Sequence, residues 1–251
     1  MCLMAFAWQT GGYPFILLGN RDEFHARPTR AAGFWTEEGL PDLLAGKDLE
    51  AGGTWLGITR RGRFAALTNI RAPGARKGAQ SRGALALDYL AGEQTPEDYL
   101  KHLQSRGGDY AGFNLLVGNL QQLWHLNSQT NQMQQLPPGV YGLSNASLDS
   151  DWPKLKQLRT NLADNLNAGA DVLLGLLSDK HIYPDQQLPD TGVSLEWERL
   201  LSATFILGGD YGTRASSLLK MDKQGGIIFV ERRFAPMGEA LGESCWHLAG
   251  D

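Results

Sequence analysis

The chain opens with Met1-Cys2 and, after a short apolar excursion, reaches Asn20-Arg21-Asp22-Glu23. Two apolar runs, Leu3-Met4-Ala5-Phe6-Ala7-Trp8 and Phe15-Ile16-Leu17-Leu18, flank Gln9-Thr10-Gly11-Gly12-Tyr13-Pro14, which is rich in turn formers. That pattern predicts a β-hairpin. Antiparallel pairing brings residue 2 back beside residues 20–22, so Arg21 and Asp22 come to flank a thiol. Cysteine is small enough for methionine aminopeptidase to expose, and removal of Met1 leaves a thiol and a free α-amine on one residue. An α-amine titrates near roughly 7.7–8.0 and can take the thiol proton as a built-in base. The plain alternative is a chain that merely begins Met-Cys and carries a solvated, charged loop at residues 20–23.

The remaining composition narrows the class. A chain of 251 residues that is 42% hydrophobic can bury a sizeable core. We read one domain over residues 1–251, because neither a repeat nor a compositional break divides it. A net charge of −4 without basic clustering argues against a nucleic-acid partner. No apolar run approaches the roughly 18 residues that span a bilayer, and no signal peptide is evident, so the expected location is cytoplasmic. Two cysteines at opposite ends, Cys2 and Cys245, do not make a disulfide framework. No metal site is expected.

Beyond Glu23 the chain reads as loop from Phe24 to Arg30 and again from Trp35 to Asp48, where Gly39, Pro41 and Gly46 act as breakers. Gly52-Gly53 before Thr54-Trp55 permits a close backbone approach, to a ligand or to a neighbouring strand. Residues 52–59 and 63–69 read as a second hairpin. The basic stretch from Ile70 to Gly83 reads as a surface loop. A helix over 84–90 follows, then another begun by Thr95 as N-cap with Pro96 at the first helical position. Strands over 112–118, 123–126 and 140–145, helices over 152–166 and 171–177, and three strands over 202–207, 212–221 and 227–233 complete the chain. Blocks of strands alternating with helix pairs predict an α+β fold, a four-layer αββα sandwich of two antiparallel sheets flanked by helices.

The segments Met1-Cys2, Asn20-Arg21-Asp22-Glu23, Gly52-Gly53-Thr54-Trp55-Leu56-Gly57, Leu67-Thr68-Asn69, Tyr141-Gly142-Leu143-Ser144-Asn145 and Tyr211-Gly212-Thr213-Arg214 occur in this order. Together they resemble the NRDE-motif family, that of transport and Golgi organisation protein 2. The resemblance implies an N-terminal-nucleophile (Ntn) hydrolase fold, and more distantly it is similar to the cysteine Ntn enzymes that cleave bile-salt and penicillin amides. Carried over position by position, it makes Cys2 the nucleophile, with Arg21 lowering its pKa and Asp22 holding the ammonium or thiol proton. It makes Asn69 or Asn145 the donor to a developing oxyanion, and Arg214 a late arginine that steadies the site. Adjacent Arg21 and Asp22 depart from the wider spacing of those enzymes.

The family resemblance also implies haem handling. On that reading the chain binds and carries haem, or another small amphipathic ligand, as cargo between haem-donating and haem-accepting proteins. His25, beside the motif, is the histidine to test as ligand, while Trp35, Trp55 and Tyr141 are candidates for an apolar slot or for ordinary core packing. The alternative is an amidohydrolase that cleaves a non-peptide C–N amide bond with Cys2 after Met1 removal.

Overall fold

The first apolar run is buried along its whole length, residues 2–8, which makes it an interior strand rather than a half-solvated one. A computed structural model describes residues 2–71 and 78–250. Its strands are β1 (Cys2–Thr10), β2 (Tyr13–Phe24), β3 (Thr29–Trp35), β4 (Leu40–Asp48), β5 (Leu56–Thr59), β6 (Phe64–Asn69), β7 (Phe113–Gly118), β8 (Leu123–Asn127), β9 (Gln132–Gln135), β10 (Gly139–Leu143), β11 (Tyr211–Met221), β12 (Ile227–Phe234) and β13 (Ala240–Leu248). Its helices are α1 (Gly83–Ala91), α2 (Pro96–Gln104), α3 (Pro153–Asp164), α4 (Ala170–Gly175) and α5 (Leu195–Ser202). They fall into two compact units, one of Met1–Ala26, Arg71–Pro73 and Pro138–Asp251, the other of Arg27–Ile70 and Gly74–Pro137.

The first unit holds a six-stranded antiparallel sheet in the order β10-β1-β2-β11-β12-β13. Side chains alternate across a strand, so Leu3, Ala5 and Ala7 of β1 join Ile16 and Leu18 of β2 on one face. They pack there against Leu155, Leu158 and Leu162 of α3 and against Leu173 and Leu174 of α4. Each such leucine contributes on the order of 1.5–3 kcal/mol by leaving water.

The second unit holds a seven-stranded meander in the order β3-β4-β5-β6-β7-β8-β9. Leu85, Tyr89 and Leu90 of α1, with Tyr99, Leu100 and Leu103 of α2, form one cluster with Leu43, Ala65, Leu67, Leu115 and Val117 of its strands. Thr95 caps α2 as expected, its side chain accepting from the Asp98 amide, with Pro96 in the first turn.

Several local expectations need correction. The stretch Trp35–Asp48, read as loop, contains β4. Gly46 is a packing glycine and not a breaker, since a Cβ there would lie 2.4 Å from the Trp55 ring. Residues 202–207, read as strand, instead close α5 and continue irregularly. α5 itself was missed, although Ser194 caps it and Glu196 and Glu198 lie in its first turn. β9 and β13 were also missed, because glutamines and solvent-facing residues hide the strand pattern. Arg76 and Lys77 of the basic stretch lie outside the described residues. No described helix is long and apolar enough to cross a membrane.

Candidate active site

The β1–β2 register sets Cys2 directly opposite Arg21 and Leu3 opposite Asn20. Directly paired residues share a face, so Cys2 and Arg21 lie together on the face away from α3. Asn20 and Asp22 lie on the face where α3 packs. Adjacency in sequence therefore separates the two charged neighbours: Arg21 stands beside the thiol and Asp22 points behind the sheet. Cys2 and Arg21 are each 6% exposed. Burial, reinforced by the Asp22 charge, pushes the thiol up to about 11 and outweighs the smaller downward pull of the Arg21 charge. With the chain's methionine in place, Cys2 is a neutral thiol at pH 7.

Asp22 is 1% exposed. Thr213 pairs with it across β2 and β11, and the Thr213 hydroxyl donates to Asp22 Oδ1 at 2.7 Å. The Tyr211 hydroxyl donates to the Asp22 carbonyl at 3.1 Å. Burial raises the Asp22 pKa, and the Lys154 ammonium is the strongest influence opposing that rise. Lys154 is itself buried, and donates to the carbonyls of Leu201 at 2.6 Å and Ala203 at 3.3 Å. Desolvation brings it down to about 8, against the attraction of Asp22.

A cleft adjoins this lysine, lined by Arg71, Trp152, Lys154, Tyr183, Glu198 and Ser202 among others. The Arg71 guanidinium bonds Glu198 at 3.0 Å and lies 5.2 Å from the Trp152 ring centre. Its backbone amide donates to the Asn145 carbonyl at 2.8 Å. The cleft wall and the segment that follows β10 are thus bonded to each other.

Asn145 is 2% exposed. The β1–β10 register runs from Trp8 opposite Gly139 to Met4 opposite Leu143, and Ser144 and Asn145 follow directly after it. The Ser144 hydroxyl lies 3.3 Å from both the Cys2 carbonyl and Asn145 Oδ1. Arg214 is the bulged residue of β11, between the Thr213–Asp22 and Ala215–Arg21 pairs, and it donates to the Phe24 carbonyl at 3.3 Å. The six-stranded sheet therefore carries Cys2, Arg21, Asp22 and Arg214, and Asn145 comes just after its strand β10. Asn69 belongs to the other unit, where it ends β6 opposite Phe113.

His25 follows β2, its amide donating to the Asp210 carbonyl. Its Nε2 is buried and has no hydrogen-bond partner among the described residues, and a Cβ on Gly212 would stand 3.2 Å from it. Burial and the Arg214 charge lower its pKa, so the ring is neutral at pH 7. Trp35 is a core residue whose ring N–H donates to the Ala45 carbonyl. Tyr141 stacks on Phe6 at 5.4 Å. Sequence reasoning missed Lys154 and Glu198. A signal for Lys154 was present: it falls on the same helical row as Leu158 and Leu162, four and eight residues on, which is the apolar stripe of α3.

A family model described as Transport and Golgi organisation 2 matches residues 1–236. The chain belongs to this family. The family's homolog from Bos taurus is 34% identical over 257 residues, and that from Homo sapiens 35%, with 92% of each chain covered in both cases. The Drosophila melanogaster protein is 27% identical with 95% of each chain covered. Among solved structures, a Caenorhabditis elegans N-acylethanolamine-hydrolyzing acid amidase ortholog matches with a TM-score of 0.56 at 13% identity, over 87% of this chain and 92% of that one. A mutant conjugated bile acid hydrolase from Clostridium perfringens matches with a TM-score of 0.51 at 11% identity, over 98% of this chain and 92% of that one. At those identities the likeness bears on fold alone. The fold is α+β and Ntn-hydrolase-like, with two antiparallel sheets, as the six motifs implied.

Proposed function

We propose that this member of the Transport and Golgi organisation 2 family is a cysteine amidohydrolase that cleaves a non-peptide C–N amide bond, with Cys2 as nucleophile once Met1 is removed. The observation that carries the reading is the setting of one buried thiol at the start of an interior strand. Arg21 is paired with it, the Ser144 hydroxyl lies within reach of both its carbonyl and Asn145, and Asp22 is held by Thr213 behind it. The amidase and the hydrolase named among the solved structures fit the same reaction type.

The chemistry follows from those positions. The Cys2 α-amine takes the thiol proton, and the thiolate attacks the amide carbonyl. Arg21 offsets the burial that disfavours the thiolate, and the Asn145 side-chain amide is the candidate donor to the tetrahedral oxyanion, a role worth about 3 kcal/mol where enzymes use it. The ammonium returns its proton to the leaving amine as the C–N bond breaks. Water, deprotonated by the same amine, then hydrolyses the thioester and restores the thiol. Asp22 accepts from the ammonium.

The test is the intact mass of protein from its native host, followed by a screen of acyl amides with Cys2→Ala as control. Turnover by protein beginning at Cys2, and its loss in Cys2→Ala, supports the reading. Quantitative retention of Met1 sinks it.

Family membership favours a second reading, haem carried as cargo. His25 does not fit as its ligand in the conformation described, because Nε2 is packed against Gly212; ligation would require the ring to turn outward. A saturable haem spectrum that His25→Ala leaves unchanged would place the cargo elsewhere on the chain, and no saturable spectrum would end this reading.

A further inference from the structure

β13 is an outer edge of the six-stranded sheet, and among the described residues no strand lies beyond it. An edge strand offers a row of backbone donors and acceptors to a further strand, and proteins commonly blunt it with proline, lysine, a bulge or shortness. The opposite edge, β10, is five residues long and follows Pro137-Pro138. β13 is nine residues long and contains neither proline nor lysine. Its one irregularity falls at its start, between the Arg233–Gly242 and Phe234–Ala240 pairs, which leaves Gly242–Leu248 regular.

That regular stretch is seven residues long and has Cys245 at its centre. A second copy added antiparallel about a two-fold axis normal to the sheet keeps like faces side by side. Full overlap then sets Cys245 opposite itself. Side chains alternate, so Leu241, Glu243, Cys245 and His247 share one face. In this register Glu243 stands opposite His247 of the second copy, and the symmetry repeats the pair. A carboxylate thus meets an imidazole on either side of the centre, and no like charges meet within the overlap. Glu243 keeps 45% of its side chain exposed while it bonds Arg232 of its own chain. Leu241, 62% exposed, comes beside Ala249 of the second copy. A slip to the next register that preserves the faces shortens the overlap and parts both Glu243–His247 pairs.

We propose that β13 is the interface of a two-fold symmetric dimer, in which a second copy of this chain pairs antiparallel with it, Cys245 opposite Cys245 and Glu243 opposite His247. The amidohydrolase reading is not needed for this.

The experiment is analytical ultracentrifugation of the full chain over a concentration series up to about 100 μM, which covers micromolar association. Wild type is expected to dimerise. Glu243→Lys and His247→Glu are each expected to weaken the dimer about tenfold, as paired cross-strand charges are lost or opposed twice by symmetry. The double variant, which exchanges the two chemistries, is expected to regain it. Four residues of extended strand separate positions 243 and 247 by about 13 Å, so recovery reads a contact between copies and not one within a chain. In a Cys2→Ala chain, whose sole thiol is then Cys245, a short bis-maleimide is expected to link the copies. The charge series decides by itself should Cys2→Ala fail to fold. A monomer throughout overturns the proposal. So does a dimer that neither charge variant weakens, or one that the reagent does not link, because it would be built on another surface.

Discussion

The Arg71 guanidinium lies 3.0 Å from the Glu198 carboxylate, with 7% and 5% of the two side chains exposed. Such a pair holds its geometry because each charge would otherwise be stranded out of water. Glu198 also accepts from the Thr191 amide and hydroxyl. Glu198→Ala is therefore expected to destabilise the chain by about 3–5 kcal/mol, the cost of leaving a buried charge without its partner. Urea unfolding measures this, and a loss below about 1 kcal/mol would mean that solvent reaches Arg71.

Thr213 has a narrower role, with one hydroxyl serving both Asp22 and the Ile206 amide. Thr213→Val keeps the shape and removes both hydrogen bonds, at about 1–3 kcal/mol for each. Thr213→Ser is expected to restore most of that loss. Equal stability of the valine and serine variants would show that the hydroxyl carries no net weight.

His125 provides a pH-dependent case. It is 2% exposed, 3.2 Å from Asn114 Oδ1, and burial pulls its pKa down to about 4. An unfolded histidine titrates near about 6.5, so between those values the unfolded chain binds more protons than the folded one. Stability from this residue is complete above about pH 6.5 and is lost as the pH falls toward 4, by about 3 kcal/mol in all. Unfolding curves across that window are expected to converge for wild type and His125→Gln as the pH drops. Parallel curves would refute the assignment.

Gly53 and Gly33 form a matched pair. A Cβ on Gly53 would stand 2.3 Å from the Gly83 backbone, at the start of α1, whereas one on Gly33 meets nothing within 4 Å. Gly53→Ala is expected to cost about 1–3 kcal/mol through overpacking, and Gly33→Ala to stay within about 0.5 kcal/mol. Thermal melts of the two variants decide it. The close approach anticipated at Gly52-Gly53 is thus made to a helix start rather than to a strand or a ligand.

The hairpin, the Cys2–Arg21 proximity and the capped α2 were legible because each rests on local patterns: a turn between apolar runs, or a cap with proline behind it. Lys154 and Glu198 were not, since each acquires its meaning from an element more than a hundred residues away in the case of Asp22, or from the basic segment in the case of Arg71. The relation of Arg21 to Asp22 needed the register itself. Two adjacent letters cannot say which face of a sheet each will take until the partner strand fixes it. β13 escaped notice because its exposed side chains carry no apolar alternation.

The interior position of β1 has a consequence in time. Its flanking strands are β2, complete by residue 24, and β10, which begins at residue 139, while the Thr213 that holds Asp22 is synthesised later still. At roughly 5–20 residues per second, roughly 10–40 s separate the emergence of Cys2 from that of Thr213. Through that interval Cys2 has β2 as a partner strand but lacks β10, so one edge of its strand is open. Once the sheet closes, Cys2 is buried. If Cys2 is the nucleophile proposed above, methionine removal is timed against folding, and its delay would seal Cys2 in the unprocessed form.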